Sequence, residues 1–205
     1  ATVTDAAPLN AKIRLANATE TPLSLLLAGD PLTGGTNILF GTSTACSSVN
    51  AATPGLTVIP VGSTTPLAGF APVLEVGKSY TVVAYPNGTV AQFATLSNAF
   101  TPATGEAGLR VFNATTGATG YDVYVTAAGA PLGTPTVPNA LSGVGSAIVS
   151  VPAGSSQIRV TAAGNTTVLV DLAAQTLTAG KTATLIIAPP ATGQTAPRAF
   201  LVGGC

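Results

Sequence analysis

A nine-residue stretch at positions 11–19, Ala-Lys-Ile-Arg-Leu-Ala-Asn-Ala-Thr, constrains this chain more than any other feature because it occurs twice. Positions 107–115 repeat it as Ala-Gly-Leu-Arg-Val-Phe-Asn-Ala-Thr. Self-similarity of this quality within one chain is the signature of a duplicated structural unit. In a chain of 205 residues, a duplication at this distance predicts two modules, and each is large enough to bury a core of its own.

The residues within the repeat alternate as a half-buried strand requires. Ile13 and Leu15 fall on one face, and Lys12 and Arg14 fall on the other. The repeat therefore predicts the opening strand of each module. We expect Arg14 and its counterpart Arg110 to point outward, with their stems covering apolar neighbours.

Turn residues interrupt the sequence too often for long helices. The chain contains 23 Gly and 16 Pro, and no long segment shows a 3.6-residue apolar period. The predicted fold class is therefore all-β, with two tandem β-sandwich (Ig/transthyretin-like) domains of about seven short strands each. The predicted boundaries are an N-terminal extension at 1–10, a first module at 11–100, a linker at 101–106 and a second module at 107–205.

Local sequence also predicts individual strands and turns. The clearest strand of the first module spans 79–85, and Pro86-Asn87-Gly88 predicts a hairpin turn into a partner strand at 89–96. Further predicted elements are a short strand at 37–40, a hairpin of 56–61 with 65–70, and a turn-rich loop at 131–138.

The charge content is low and balanced. Charged residues make up 7% of the chain, with seven Lys and Arg against seven Asp and Glu. Nothing in this balance attracts nucleic acid or anionic lipid at long range. A weakly charged surface also repels its own copies weakly, which permits self-association. The longest apolar runs, 23–28 and 183–188, are too short to span a membrane as helices.

Two cysteines, Cys46 and Cys205, are the only ones in the chain. Without any His they are better suited to one disulfide than to a metal site, and a disulfide indicates an exported protein. The start at Ala1 and the absence of Met also suggest removal of a signal peptide. A bond within one chain, favoured by local concentration, would stabilise by roughly 4–5 kcal/mol. A bond between chains would instead make a head-to-tail covalent polymer.

No pattern in the sequence predicts catalysis, a cofactor or a metal ion. His-based catalysis is excluded because there is no His, and the carboxylates are scattered without a pair that suggests acid–base work. Gly77-Lys78-Ser79 and Gly180-Lys181-Thr182 lack the earlier glycine of a phosphate-binding loop. We therefore predict that the chain is not an enzyme.

Two sets of residues could still contact glycans. Tyr80, Tyr85, Tyr121 and Tyr124 could line a sugar-binding face, although strand tyrosines more often pack against neighbouring strands. Glycan-acceptor sequences occur at 17–19, 87–89, 113–115 and 165–167, and a chain this rich in Thr contains most of them by chance.

Residues 1–10 have no counterpart before the second repeat. They are either a frayed end or an extension that adds a strand to a neighbouring subunit's sheet. Thr2, Val3 and Thr4 form the candidate strand-donor segment because they are β-prone. Pro8 limits any ladder to the first part of the extension.

The tandem modules resemble the bacterial DUF4397 domain family. The resemblance rests on the two Ala-x-(Ile/Leu)-Arg-(Leu/Val)-x-Asn-Ala openings and, in the second module, on Tyr-Asp-Val-Tyr-Val at 121–125, Val-Pro-Ala-Gly at 151–154 and Gly-Lys-Thr at 180–182. It covers about 11–98 and 107–203, and the first module departs from it at 23–27. The resemblance implies an exported or lipid-anchored envelope protein with β-sandwich domains and no assigned chemistry.

These observations favour a structural role outside the cell. We predict a secreted or cell-surface protein whose partners are copies of itself and which forms a fibre, sheath or surface layer through exposed strand edges. The alternative is a monomeric envelope module that binds glycan or protein.

Overall fold

The computed structural model describes residues 9–88, 90–117 and 120–205, and within these ranges the chain forms fifteen β-strands and no helix. In this part of the chain there is accordingly no helix long and apolar enough to cross a membrane. The strands of the first module are β1 (Asn10–Asn17), β2 (Leu23–Leu27), β3 (Asp30–Pro31), β4 (Ser47–Asn50), β5 (Leu56–Pro60), β6 (Ser79–Asn87) and β7 (Val90–Ser97). Those of the second are β8 (Glu106–Asn113), β9 (Tyr121–Thr126), β10 (Val137–Ala140), β11 (Val149–Pro152), β12 (Gly154–Ala162), β13 (Val168–Leu177), β14 (Thr182–Ala188) and β15 (Arg198–Gly203).

Each module is a sandwich of two sheets. The first module has sheets of order β4-β1-β6-β7 and β3-β2-β5, and the second has β11-β8-β14-β15 and β10-β9-β12-β13. The repeated opening strand has the same place in both, because β1 pairs in parallel with β6 and β8 pairs in parallel with β14. The prediction of an all-β fold with two tandem sandwiches is confirmed.

Alternation along the strands divides their side chains between two cores. Ala11, Ile13 and Leu15 of β1 enter the core of the first module, and their equivalents in β8 enter the core of the second. All seven residues of β14 are buried. A strand buried on both faces must have packed layers on both sides.

A third core lies between the modules. It contains Ala16, Ala18 and Val83 of the first module and Phe112, Ala114, Ile186, Ala188 and Val202 of the second. The sheet that contains β1 therefore packs face to face on the sheet that contains β8. The four sheets stack as layers, and the two inner layers are covered on both faces.

Two predicted strands of the first module are wrong. Segment 65–70 makes only one ladder-like bond, in which the Leu67 amide donates to the Val58 carbonyl at 2.8 Å. Pro66 has no N–H to donate, and Gly69 has a φ of +80°, so this segment does not form a regular strand. The strand predicted at 37–40 is reduced to an isolated bridge at Ile38, because Asn37 adopts a φ of +50°.

Besides the two-residue β3, two short strands were not predicted. β4 follows directly after Cys46 in a stretch of Ser, Asn and a single Val, and β10 falls within and just beyond the predicted loop at 131–138. Both are edge strands of four residues. Edge strands this short carry too few apolar positions for their alternation to be recognised.

Candidate assembly site

The Asn-Ala-Thr part of each repeat ends the opening strand with a buried turn. Asn17 donates through Nδ2 to the carbonyls of Thr21 and Ile38, at 2.9 and 2.8 Å. Its Oδ1 accepts from the amide and hydroxyl of Thr19, at 2.8 and 2.7 Å. The local Asn–Thr bonds form an Asx-type turn. Asn17 is fully buried, so this acceptor sequence has a structural role in the folded protein.

The second copy of the motif is built in the same way. The Asn113 Oδ1 accepts from the amide and hydroxyl of Thr115 at 3.0 and 2.7 Å, and its Nδ2 donates to the Ala140 carbonyl at 3.0 Å. Asn113 is also fully buried. The polar half of the repeat is thus explained by the fold.

The repeated arginines join the two modules reciprocally. Arg14 of the first module donates through Nη1 to the carbonyl of Gly203, the last residue of β15. Arg110 of the second donates through Nη1 to the carbonyl of Ser97, the last residue of β7, at 2.8 Å. Both point away from their own sandwich, as expected, but they face the other module. Half-burial there lowers the pKa of both guanidinium groups by desolvation, and both remain charged at physiological pH.

Aromatic contacts cross the same interface. Tyr85 of the first module meets the fully buried Phe112 edge to face, with ring centroids 5.1 Å apart. Phe40 meets Phe200 at 5.6 Å, and the Arg198 guanidinium lies 3.6 Å from the centre of the Phe40 ring. Such pairs contribute about 0.5–1.5 kcal/mol beyond their buried area. The relative position of the modules is therefore fixed by a packed core.

The disulfide crosses the interface as well. Cys46 and Cys205 are joined within one chain, with Cα atoms 5.6 Å apart, so the bond ties the second module back to the first. Arg14 Nη2 lies 3.0 Å from the Cys46 Sγ. The two cysteines that the sequence paired are thus together, and the bond between chains is not the form that this structure takes. The candidate donor residues Thr2, Val3 and Thr4 lie outside the described residues.

A cleft of about 490 Å³ opens between the modules at one end of the interface. Pro60, Pro86, Pro189 and Pro190 contribute to its walls, and the first residues of β7 lie at its margin. Glu20 and Arg198 also line it and form an ion pair with each other. The cleft is therefore mainly apolar, and its two charges neutralise each other.

The four tyrosines do not form an exposed platform. Tyr80, Tyr121 and Tyr124 are buried, and Tyr85 packs on Phe112. The described ranges also contain no group of three His, Cys, Asp or Glu side chains that could hold a metal ion.

Most strand edges are blocked in ways that prevent pairing with another chain. β13 carries Asp171 and is irregular at Ala174, which has a φ of +52°. β10 and β11 contain proline, β3 has two residues, β4 has four, and the Leu67 amide covers part of β5. Charges, prolines, bulges and short length are the usual protections of edge strands.

The edge strand β7 has none of these protections. Its eight residues, Val-Ala-Gln-Phe-Ala-Thr-Leu-Ser, contain no charge and no proline. The Asn98 amide donates to the Ser79 carbonyl at 2.8 Å. This bond shows which residues of β7 form hydrogen bonds with β6, because hydrogen-bonded pairs alternate along the two strands. By alternation, Ala91, Phe93 and Thr95 direct their N–H and C=O groups away from β6. Among the described residues, none of these outward backbone groups has a hydrogen-bond partner.

The equivalent strand of the second module is protected. Gln92 pairs with Tyr85 in the first module, and Arg198 pairs with Ala188 at the equivalent place in the second. This register aligns Gln92 with Arg198. It also aligns Ala91 with Pro197, which directly precedes β15. The second module thus places proline and arginine where the first has alanine and glutamine.

The sequence predicted β7 as a strand but did not identify it as the open edge. The missed signal was the run of uncharged, proline-free residues at 90–97. Comparison of the sequence with protein-family models and with curated proteins gives no match. The function of the chain is therefore inferred from its own geometry.

Proposed function

We propose that this chain is an extracellular or cell-surface structural protein that assembles with copies of itself into a fibre, sheath or surface layer. The observation that carries the proposal is the open edge of β7. An unpaired edge strand templates pairing with another chain unless something blocks it. Pro197, which has no N–H to offer to a further strand, directly precedes β15, and β7 has Ala91 at the equivalent place.

The energetics of such a contact suit a repeated assembly. Ala91, Phe93 and Thr95 offer three outward N–H and three outward C=O groups. A net contribution of about 1 kcal/mol for each backbone hydrogen bond gives about 6 kcal/mol, before the cost of ordering the added strand. The low and balanced charge adds little repulsion between copies.

The remaining features support a role outside the cell. A disulfide that joins the modules persists in an oxidising compartment. The reciprocal arginines and the third core hold the two sandwiches in one arrangement. A rigid subunit propagates the geometry of one contact along an assembly. In this proposal the chain has no catalytic task.

The test transplants the protected edge of the second module onto the first. In the double variant Ala91→Pro/Gln92→Arg, the proline removes an outward N–H that the intrachain ladder does not use. The wild-type protein, concentrated under non-reducing conditions, is expected to form regular filaments or layers in negative-stain microscopy. The double variant is expected to stay monomeric by sedimentation, with a melting temperature close to that of the wild type, because the side-chain bond that it loses, between the Tyr85 hydroxyl and Gln92 Oε1, is exposed.

Val76→Lys is the matched control, because Val76 is 53% exposed and lies outside every strand. It adds one positive charge, as Gln92→Arg does, and is expected to assemble like the wild type. A wild type that stays monomeric at high concentration would contradict the proposal. So would a double variant that assembles as well as the wild type.

The second candidate function is a monomeric module that binds glycan or protein. The cleft between the modules favours it, because a concave and mainly apolar site with a few polar groups is typical of ligand binding. A wild type that is monomeric at all concentrations and binds soluble envelope glycans would support this candidate.

A further inference from the structure

We infer that the strand that completes β7 is supplied by residues 1–8 of a second copy, entering through the cleft between the modules. This inference rests on the proposed function and specifies the partner of the same edge. The pairing residues would be Thr2, Val3 and Thr4, and the contact would join copies head to tail.

The directions of the strands determine where each end of β7 lies. β1 begins at Asn10, where the Asn10 carbonyl accepts from the Gly77 amide at 2.8 Å. β6 runs parallel to β1, and β7 runs antiparallel to β6. Ser97 therefore lies at the end of the module where β1 begins, and Val90 lies at the end where β1 finishes.

The start of β1 and the cleft lie far apart on the first module. Leu9, to which residues 1–8 are joined, lies at the end of the module where β1 begins. The cleft lies at the opposite end, because its lining includes Ala18, Thr19 and Val90. Eight strand residues at about 3.3 Å each place these two ends roughly 26 Å apart. The attachment point of the segment and the cleft are thus at opposite ends of the module.

This placement of donor and acceptor determines how copies can be joined. When copies stack in the same orientation, the segment that leaves one copy arrives at the cleft of the next. Such a contact joins two different surfaces, and it generates an open filament when the rotation between copies does not close. A segment with residue 8 at the cleft and residue 1 towards Ser97 runs antiparallel to β7, because β7 runs from the cleft towards Ser97. Antiparallel pairing provides a regular ladder along the outward groups of β7.

The residue types at positions 1–8 suit an added edge strand. Thr2, Val3 and Thr4 are β-branched and suit an edge position. Pro8 cannot donate to a ladder, and the arrangement places it at the cleft, where proline side chains line the walls and no ladder is needed. Pro197 opposes the same pairing where β15 begins, so among the described strands β7 is the acceptor edge of each copy. One donor and one acceptor in each copy produce a linear chain.

The experiment separates donor from acceptor by mixing two variants. A variant that lacks residues 1–8 keeps the acceptor edge, and Ala91→Pro/Gln92→Arg keeps the donor segment. Each is expected to be monomeric alone, and the mixture is expected to give a 1:1 dimer without filaments. A chain with both changes is the matched control and is expected to dimerise with neither. No dimer in the mixture would overturn the inference.

A synthetic peptide of residues 1–8 provides a second measurement on the variant that lacks them. The peptide is expected to bind, and a peptide with Val3→Pro and Thr4→Pro is expected to bind about tenfold or more weakly, because it loses ladder hydrogen bonds in either register. Equal binding of the two peptides would overturn the inference.

The two proposals fail in different ways. If the variant without residues 1–8 still forms filaments, the inference fails and the proposed function stands. If the full-length protein never assembles, the proposed function itself fails.

Discussion

Removal of one reciprocal arginine should lower the free energy of unfolding of the protein. In Arg110→Met the apolar stem is retained and the guanidinium is lost. The carbonyl of Ser97 then loses a donor at 2.8 Å, and that of Ser146 loses a weaker one at 3.3 Å. A hydrogen bond to a charged group contributes about 1.5–3 kcal/mol. Half-burial reduces this value through access of water, and relief of desolvation reduces it further. We expect a loss of about 2 kcal/mol in the free energy of unfolding.

The equivalent change in the first module tests the reciprocity. Arg14→Met removes the bond to the Gly203 carbonyl and the contact with the Cys46 sulfur, and the expected loss is again about 2 kcal/mol. The two arginines share no partner, so the double variant should lose about 4 kcal/mol, which is the sum within about 0.5 kcal/mol. Lys12→Met is the control, because Lys12 is an exposed cation on β1, and it should change stability by less than about 0.5 kcal/mol.

The assay is urea unfolding followed by circular dichroism under non-reducing conditions. With the third core intact, the wild type should unfold in one transition. If Arg110→Met stays within about 0.5 kcal/mol of the wild type while Lys12→Met behaves as expected, the reciprocal contact does not stabilise the interface.

Three further changes test other parts of the structure. Cys46→Ala/Cys205→Ala opens a link across 159 residues of sequence, and chain entropy sets an upper limit of about 5 kcal/mol on the loss, measured by urea unfolding against the disulfide-bonded wild type under non-reducing conditions. Phe112→Ala empties the third core and should cost about 3–5 kcal/mol, read as a lowered melting temperature; a cost below about 1 kcal/mol would show that the modules do not pack there. Asn17→Ala leaves two carbonyls without their donor and should cost about 3 kcal/mol in urea unfolding, whereas an unchanged free energy of unfolding would show that the turn does not stabilise the fold.

The repeat and its alternation were sufficient to predict the all-β fold and the strand that opens each module. Ile13 and Leu15 enter the core that the pattern assigned to them. Segment 65–70 was predicted wrongly because its apolar residues resemble a strand, while Pro66 and the positive φ of Gly69 prevent a regular ladder.

The interface between the modules could not be predicted from alternation, because alternation separates two faces of a strand without identifying what covers the outer one. Some signals were present in the sequence. Phe112 is an aromatic residue on the outer face of β8, and β14 has apolar residues on both faces. Both are typical of a sheet buried on both sides. The partner of Arg110 lies in the other module, and sequence spacing contains no information about that contact.

Amide hydrogen exchange tests whether copies of this chain assemble through the open edge of β7. In the monomer, the outward amides of Ala91, Phe93 and Thr95 have no hydrogen-bond partner among the described residues and should exchange rapidly. On assembly, these three amides should become protected, while the equivalent outward amides of β15 should not change. Assembled material in which Ala91, Phe93 and Thr95 exchange as fast as in the monomer would contradict assembly through β7.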